Sequence, residues 1–240
     1  MTFEIEDPNV SAKEMAEAIF SVASILLRNQ ILSDNGYASL CKVATEIKAY
    51  KNKKEWDLSI DRDFPVSFNE AENIVKESSN ARIELSSEFI SVNLNELFPF
   101  KALDISVLIK DLNNQPISRW HFDLANFKDS GEMQPGPLTH IQYGGRVVGQ
   151  DRSEDHPLKV PRWCHPPMDI ILLCEAIVAN FFPKKWDCIR EELGWCDAVA
   201  KSQRICYSAY LVKMLKTLNT SGTTILREMD ANIWSKSLST

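Results

Sequence analysis

The stretch PPMDIILLCEAIVANFF, residues 166–182, constrains the fold more than any other part of the chain. Ile170, Leu173, Cys174, Ile177, Val178 and Phe181 recur at i, i+3, i+4, i+7, i+8 and i+11, the spacing of one helix face. Leu172, Ala176 and Ala179 leave the opposite side almost as apolar. A helix that is apolar nearly all round has to be central, because water is unfavourable on every side of it. The rest of the chain must therefore supply layers around it. Pro183 ends the run, since it lacks the N–H that would continue the ladder.

Hydrophobic periodicity shows what those layers are. In SAKEMAEAIFSVASILLRNQ, Ser11 and Glu14 form a capping-box pair, and Met15, Ala18, Ile19, Val22 and Leu26 follow helical spacing. SDNG at 33–36 breaks that helix. A second, from about Tyr37 to Lys51, turns Leu40, Val43, Ala44 and Ile47 inward, giving an αα-hairpin over 11–51. DRDFPVSF reads as a loop or a short extended piece, and Asn69 with Glu72 caps a short helix through Glu77. From Arg82 the period changes to two. Ile90, Val92 and Leu94 alternate with polar residues, and so do Leu103, Ile105, Val107 and Ile109. LNNQP then supplies a hairpin turn into ISRWHFDL, and LTHIQY closes at Gly144–Gly145. These segments predict an antiparallel sheet of about four strands within 82–148. Helical spacing resumes over 166–218, including a stripe of Val199, Cys206, Tyr210, Met214 and Leu218, with one more turn between Ile225 and Trp234. The expected architecture is α+β: an N-terminal helical hairpin, a central antiparallel sheet and a C-terminal helical cluster in one compact domain spanning 1–240.

Composition narrows the functional classes. At 44% hydrophobic and 25% charged residues, the chain has the balance of a soluble globular protein, and no window approaches a membrane-spanning run. The start, MTFEIEDPNV, is acidic and lacks the basic and apolar regions of a signal peptide. Six cysteines without a C-x-x-C pair read as buried thiols rather than a disulfide framework. A cytoplasmic protein is expected. The net charge of -6 argues against a nucleic-acid binder, which needs a positive surface to displace counterions. Lys48, Lys51, Lys53 and Lys54 are read as solvated residues at a helix C-terminus.

All four histidines, His121, His140, His156 and His165, fall within 45 residues. In ISRWHFDL, Trp120, Phe122 and Leu124 share one face, taken as core, and Arg119, His121 and Asp123 share the other. His-x-Asp on one strand face is a two-ligand fragment for a divalent metal, and His140 would complete it if the two strands pair. Arg119, Gln142 and Trp163 are candidate binding residues around it. The competing reading is a solvated, self-compensating strand face, and it is preferred, so no cofactor is expected. Asp151, Glu154 and Asp155 read as a solvated loop, and Glu175 as an acid on the apolar helix whose carboxylate reaches water or a cation.

RWCHPPMD, residues 162–169, places Cys164 beside His165. Adjacent residues on extended backbone diverge, so these two do not form a thiol–imidazole pair, although His140 or His121 could act as a base toward Cys164. A structural hinge explains more of the string. Pro166–Pro167 preset the first helical turn, and Asp169 meets the positive end of the helix dipole. The chain has no G-x-G-x-x-G, Walker-type, G-x-S-x-G or H-E-x-x-H motif.

The order of helix, antiparallel meander, extended Pro-rich segment and further helices resembles that of ubiquitin-conjugating-type domains. The chain departs from them in lacking their His-Pro-Asn motif with a following acceptor cysteine, and in its extra N-terminal helix. The resemblance is therefore one of element order and implies no conjugating activity. Two functions of different class are carried forward. One is a non-catalytic interaction subunit of a larger intracellular assembly, partnered by other proteins or by copies of itself, with six tryptophans and a sheet edge beside the loop at 125–137 as its positive features. The alternative is a metal-dependent hydrolase, a phosphoesterase or nuclease among the candidates, with His121, Asp123 and His140 as ligands and Cys164 or His165 nearby.

Overall fold

The computed structural model describes residues 8–71, 80–126, 132–144 and 161–238. The short helix expected through Glu77 lies mostly outside these residues. So do His156 and the acidic residues Asp151, Glu154 and Asp155.

The chain runs α1 (Ala12–Arg28), α2 (Asp34–Lys48), β1 (Glu55–Ile60), β2 (Val66–Ser67), β3 (Ala81–Asn93), β4 (Phe100–Asp111), β5 (Pro116–Leu124), β6 (Thr139–Tyr143), β7 (Arg162–Cys164), α3 (Ile170–Phe181), α4 (Pro183–Ile189), α5 (Leu193–Leu218), α6 (Ile225–Glu228) and α7 (Ala231–Leu238). The architecture is α+β with an entirely antiparallel sheet, in the order β1-β3-β4-β5-β6-β7, and β2 pairs with β3. Among the described residues no helix is long and apolar enough to cross a membrane.

The sheet is larger than the four strands expected. β1 alternates strictly, with Trp56, Leu58 and Ile60 buried, but its six residues follow a lysine-rich turn that draws attention to charge instead of period. β2 and β7 are too short to show any period, and only pairing with a neighbour defines them. The second helix also starts earlier than expected. SDNG opens α2 instead of merely breaking α1, because Ser33 Oγ accepts from the Gly36 N–H as an N-cap. Gly36 then packs against β2 so closely that a Cβ would lie 2.1 Å from the Ser67 carbonyl oxygen.

α1 begins with the reciprocal Ser11–Glu14 capping box, and its buried face runs from Met15 to Leu26. α1, α3 and α5 converge over β1, β3 and the start of β4, where Met15, Ile19, Trp56, Leu58, Ile90, Val92, Phe100, Ile170 and Ile205 line a small internal cavity. α3 is buried from Ile170 through Val178 apart from Glu175 and Ala176, as a helix with two apolar sides requires.

That helix begins at Ile170, so Pro166 and Pro167 belong to the extended approach instead of the first turn. Asp169 is its N-cap. Its Oδ1 accepts from the Leu172 N–H at 3.0 Å, and its Oδ2 accepts from Ser202 Oγ of α5 at 2.6 Å. The carboxyl is buried, and burial pushes its pKa up against those hydrogen bonds. One side chain thus starts the central helix and fastens it to α5. Asp169→Ala removes the cap and strands Ser202 Oγ in the core, so urea unfolding should show a loss of about 2–4 kcal/mol. Asp169→Asn keeps an acceptor for Leu172 and should lose distinctly less. A Asp169→Ala variant within about 1 kcal/mol of wild type would contradict this role.

Candidate functional site

Strand register assigns each candidate residue to a face. Across the sheet, Asp104 of β4 lies opposite Asp123 of β5, Asp123 opposite His140 of β6, and His140 opposite Cys164 of β7. One pair along, Ser106, His121, Gln142 and Arg162 form a parallel row. Directly opposed residues share a face, so these residues alternate with Leu103 and Ile105, although Cys164 at the end of β7 still reaches α5. On the other face, Trp120 lies opposite Tyr143, and Ile141 sits between Phe122 and Trp163.

Within the polar rows His140 Nε2 lies 4.0 Å from Asp123 Oδ2. That is an ion-pair distance only if both groups are charged, and their surroundings oppose this. Burial raises Asp123 to about 8, and the carboxylate of Asp104 across the ladder adds to the shift. Burial also lowers His140 to about 4, with the Arg162 cation contributing. At neutral pH the pair is therefore mainly a carboxylic acid beside a neutral imidazole. Asp123 Oδ1 is buried with no hydrogen-bond partner among the described residues. Arg162 reaches Gln142 Oε1 at 3.5 Å, and its guanidinium donates to Gln134 Oε1 at 2.6 Å and to the Pro135 carbonyl at 3.4 Å.

His121, Asp123 and His140 thus occupy one face, with Asp123 between the two histidines. Among the described residues no group of three or more His, Cys, Asp or Glu side chains is disposed to hold a metal ion. Cys164 hydrogen-bonds to Tyr210 Oη of α5 at 3.1 Å, and burial raises its pKa, so its sulfur is held as a thiol. His165 turns to the opposite face, with its ring 6.0 Å from that of Phe122 and its Nδ1 donating to the Pro166 carbonyl at 2.7 Å. No nucleophile–base pair is assembled between Cys164 and His165.

Two placements reverse the expectation for β5. Arg119 is buried, at 2% exposure, where a solvated strand face was expected. Trp120 is 37% exposed, where a core ring was expected. The helices cover the β1–β3–β4 side of the sheet, so the face that is core at Ile105 and Val107 opens toward solvent as it passes to β5 and β6. Trp120 and Tyr143 meet there edge to face at 5.0 Å, Tyr143 is 47% exposed, and Trp163 on the edge strand is 66% exposed. Asp104, Arg162 and Tyr143 are site residues that the sequence reading did not single out. Asp104 was visible as a polar position between Leu103 and Ile105, but only the register shows that it faces Asp123.

Comparison with protein-family models, curated proteins and solved structures returns no match to this chain.

The two shifted groups make a pH signature. Asp123 is raised from 3.8 to about 8, so its contribution to stability is complete below about pH 4 and is lost as pH rises through 8. His140 is lowered from 6.5 to about 4, so its contribution is complete above 6.5 and is lost as pH falls through 4. Between about 4 and 6.5 the two slopes cancel. Between 6.5 and 8 only Asp123 titrates, and stability should fall by about 1.4 kcal/mol per pH unit. Chemical denaturation across this range should show that decline in wild type and a flatter profile in Asp123→Asn. Parallel profiles for the two proteins would contradict the assignment.

Proposed function

We propose that this chain is a non-catalytic protein-interaction subunit of a larger intracellular assembly, and that it docks another protein on the aromatic side of β5, β6 and β7. The observation that carries the reading is the exposure of Trp163 on the edge strand β7, continued inward by Tyr143 and Trp120. Exposed tryptophans clustered on a rigid sheet are the usual anchors of a protein interface, each worth roughly 2–4 kcal/mol when a partner covers it. β7 is also a sheet edge, and its Arg162 ties it to residues 134–135 of the preceding loop. A partner strand added beside β7 would lay its side chains against Trp163. The net charge of -6 favours a protein partner over nucleic acid. Of the six tryptophans, Trp56, Trp195 and Trp234 are core and Trp186 packs against it, so the reading rests on Trp120 and Trp163. The hydrolase reading has less support, because among the described residues no group of three or more His, Cys, Asp or Glu side chains is disposed to hold a metal ion.

A photo-crosslinking amino acid placed at Trp163 in the source cell tests this directly. It should yield a discrete heteromeric adduct, whereas the same group at the exposed Thr45 of α2 should yield none. Equal or absent adducts at both positions would overturn the reading.

A further inference from the structure

The last three turns of α5 carry a second apolar surface. The buried positions of this helix recur from Trp195 to Tyr210, after which only Thr217 is buried. Leu211, Leu215 and Leu218 follow at i, i+4 and i+7, so they form one stripe, and they are 44%, 45% and 65% exposed. Val212, half exposed, widens it on one side. Tyr207 and Met214 bound it on the other and pack inward on the core.

The charge that α5 itself carries along this stripe is positive. From Ala198 to Arg227 the sequence holds five basic residues and no carboxylate, in a chain of net charge -6. Two of the five are neutralised locally: Lys201 pairs with Asp197, and Lys213 pairs with Glu228 at 3.1 Å. Arg204 lies one heptad before Leu211, in line with the stripe, and Lys216 lies beside Val212. Both are exposed and make no ion pair among the described residues.

We propose that this face of α5 docks an amphipathic helix of a partner protein, with apolar residues at i, i+3 or i+4 and i+7 and with Glu or Asp along its flanks. Its leucine-spaced face covers Leu211, Leu215 and Leu218, and its flanking carboxylates meet Arg204 and Lys216. A second copy of this chain fits poorly, because its own α5 stripe brings the same basic flanks and no carboxylate to answer them. A membrane surface fits less well too, since interfacial helices present a wide apolar face with many cations, and here the stripe from Leu211 to Leu218 is about two turns long and is flanked by Arg204 and Lys216. This surface does not include Trp163, and the proposal stands or falls independently of docking on the sheet.

The test uses the full chain and two dye-labelled synthetic peptides of about 20 residues, identical in their leucine spacing, one flanked by Glu and the other by Lys. Fluorescence anisotropy should show the Glu peptide binding at least about ten-fold more tightly than its Lys twin. Leu215→Ser should weaken the Glu peptide about ten-fold, and Arg204→Glu with Lys216→Glu should reverse the preference, with circular dichroism unchanged in each variant. Absent binding, equal binding of the two peptides, or indifference to Leu215→Ser would overturn the proposal. A concentration-dependent dimer that Leu215→Ser abolishes would overturn it in favour of self-association. Co-sedimentation with phosphatidylserine vesicles that Leu215→Ser abolishes would overturn it in favour of a lipid surface.

Discussion

The buried carboxylate of Asp169 is the joint on which the rest of the structure depends. α3 has no polar face with which to orient itself, so apolar burial alone would hold it without fixing where it begins or how it is turned. Asp169 supplies both. Its Oδ1 receives the Leu172 N–H and starts the helix, while its Oδ2 receives Ser202 Oγ and sets α3 against α5. α5 in turn packs on α1, so the three helices over the sheet are registered through one side chain. Leaving a carboxyl unpaired at that depth would cost several kcal/mol, which makes the arrangement specific: Asp169 is tolerable only where both donors meet it.

With the helices fixed over β1, β3 and β4, the remainder of the sheet has to find other cover. This explains the inversion along β5. Ile105 and Val107 of β4 are buried beneath helices, whereas Trp120, opposite Val107, is partly open to solvent. The other face carries the polar rows, where burial raises Asp104 and Asp123 and lowers His140, and the Asp104 carboxylate adds to the shift of Asp123. Burial outweighs attraction there because, at 4.0 Å, Asp123 and His140 lack the direct hydrogen bond that would make an ion pair worth its desolvation. Asp123 and His140 are consequently mainly neutral at ordinary pH, beside the cation of Arg162. The arrangement accounts for three histidine positions without requiring chemistry from them.

Much of this was legible in the chain before its structure was known. The α+β class, α1 with its capping box, the central helix and the alternation of β4 and β5 follow from period and capping chemistry, which act over a few residues. The parts that were not legible depend on which strand lies beside which. Nothing in DIS around Asp104 says that it faces Asp123, and nothing in RWC marks three residues as an edge strand, because pairing is a long-range property. Trp120 was misplaced for a related reason. Alternation places Trp120, Phe122 and Leu124 on one face, but whether that face is core is decided by how far the helices extend over the sheet. SDNG was read only as a helix breaker because Ser and Gly serve turns and N-caps alike, and the choice between them lies in Ser67 packing against Gly36.

The account's central claim is that this chain works as part of a larger protein assembly, through surfaces its own fold leaves uncovered. The most direct measurement is native mass spectrometry of the chain isolated from its source at its natural abundance, under conditions gentle enough to retain partners. The account predicts a discrete species heavier than one chain and containing at least one other polypeptide. A single unaccompanied chain, with no heavier species across preparations, would contradict it.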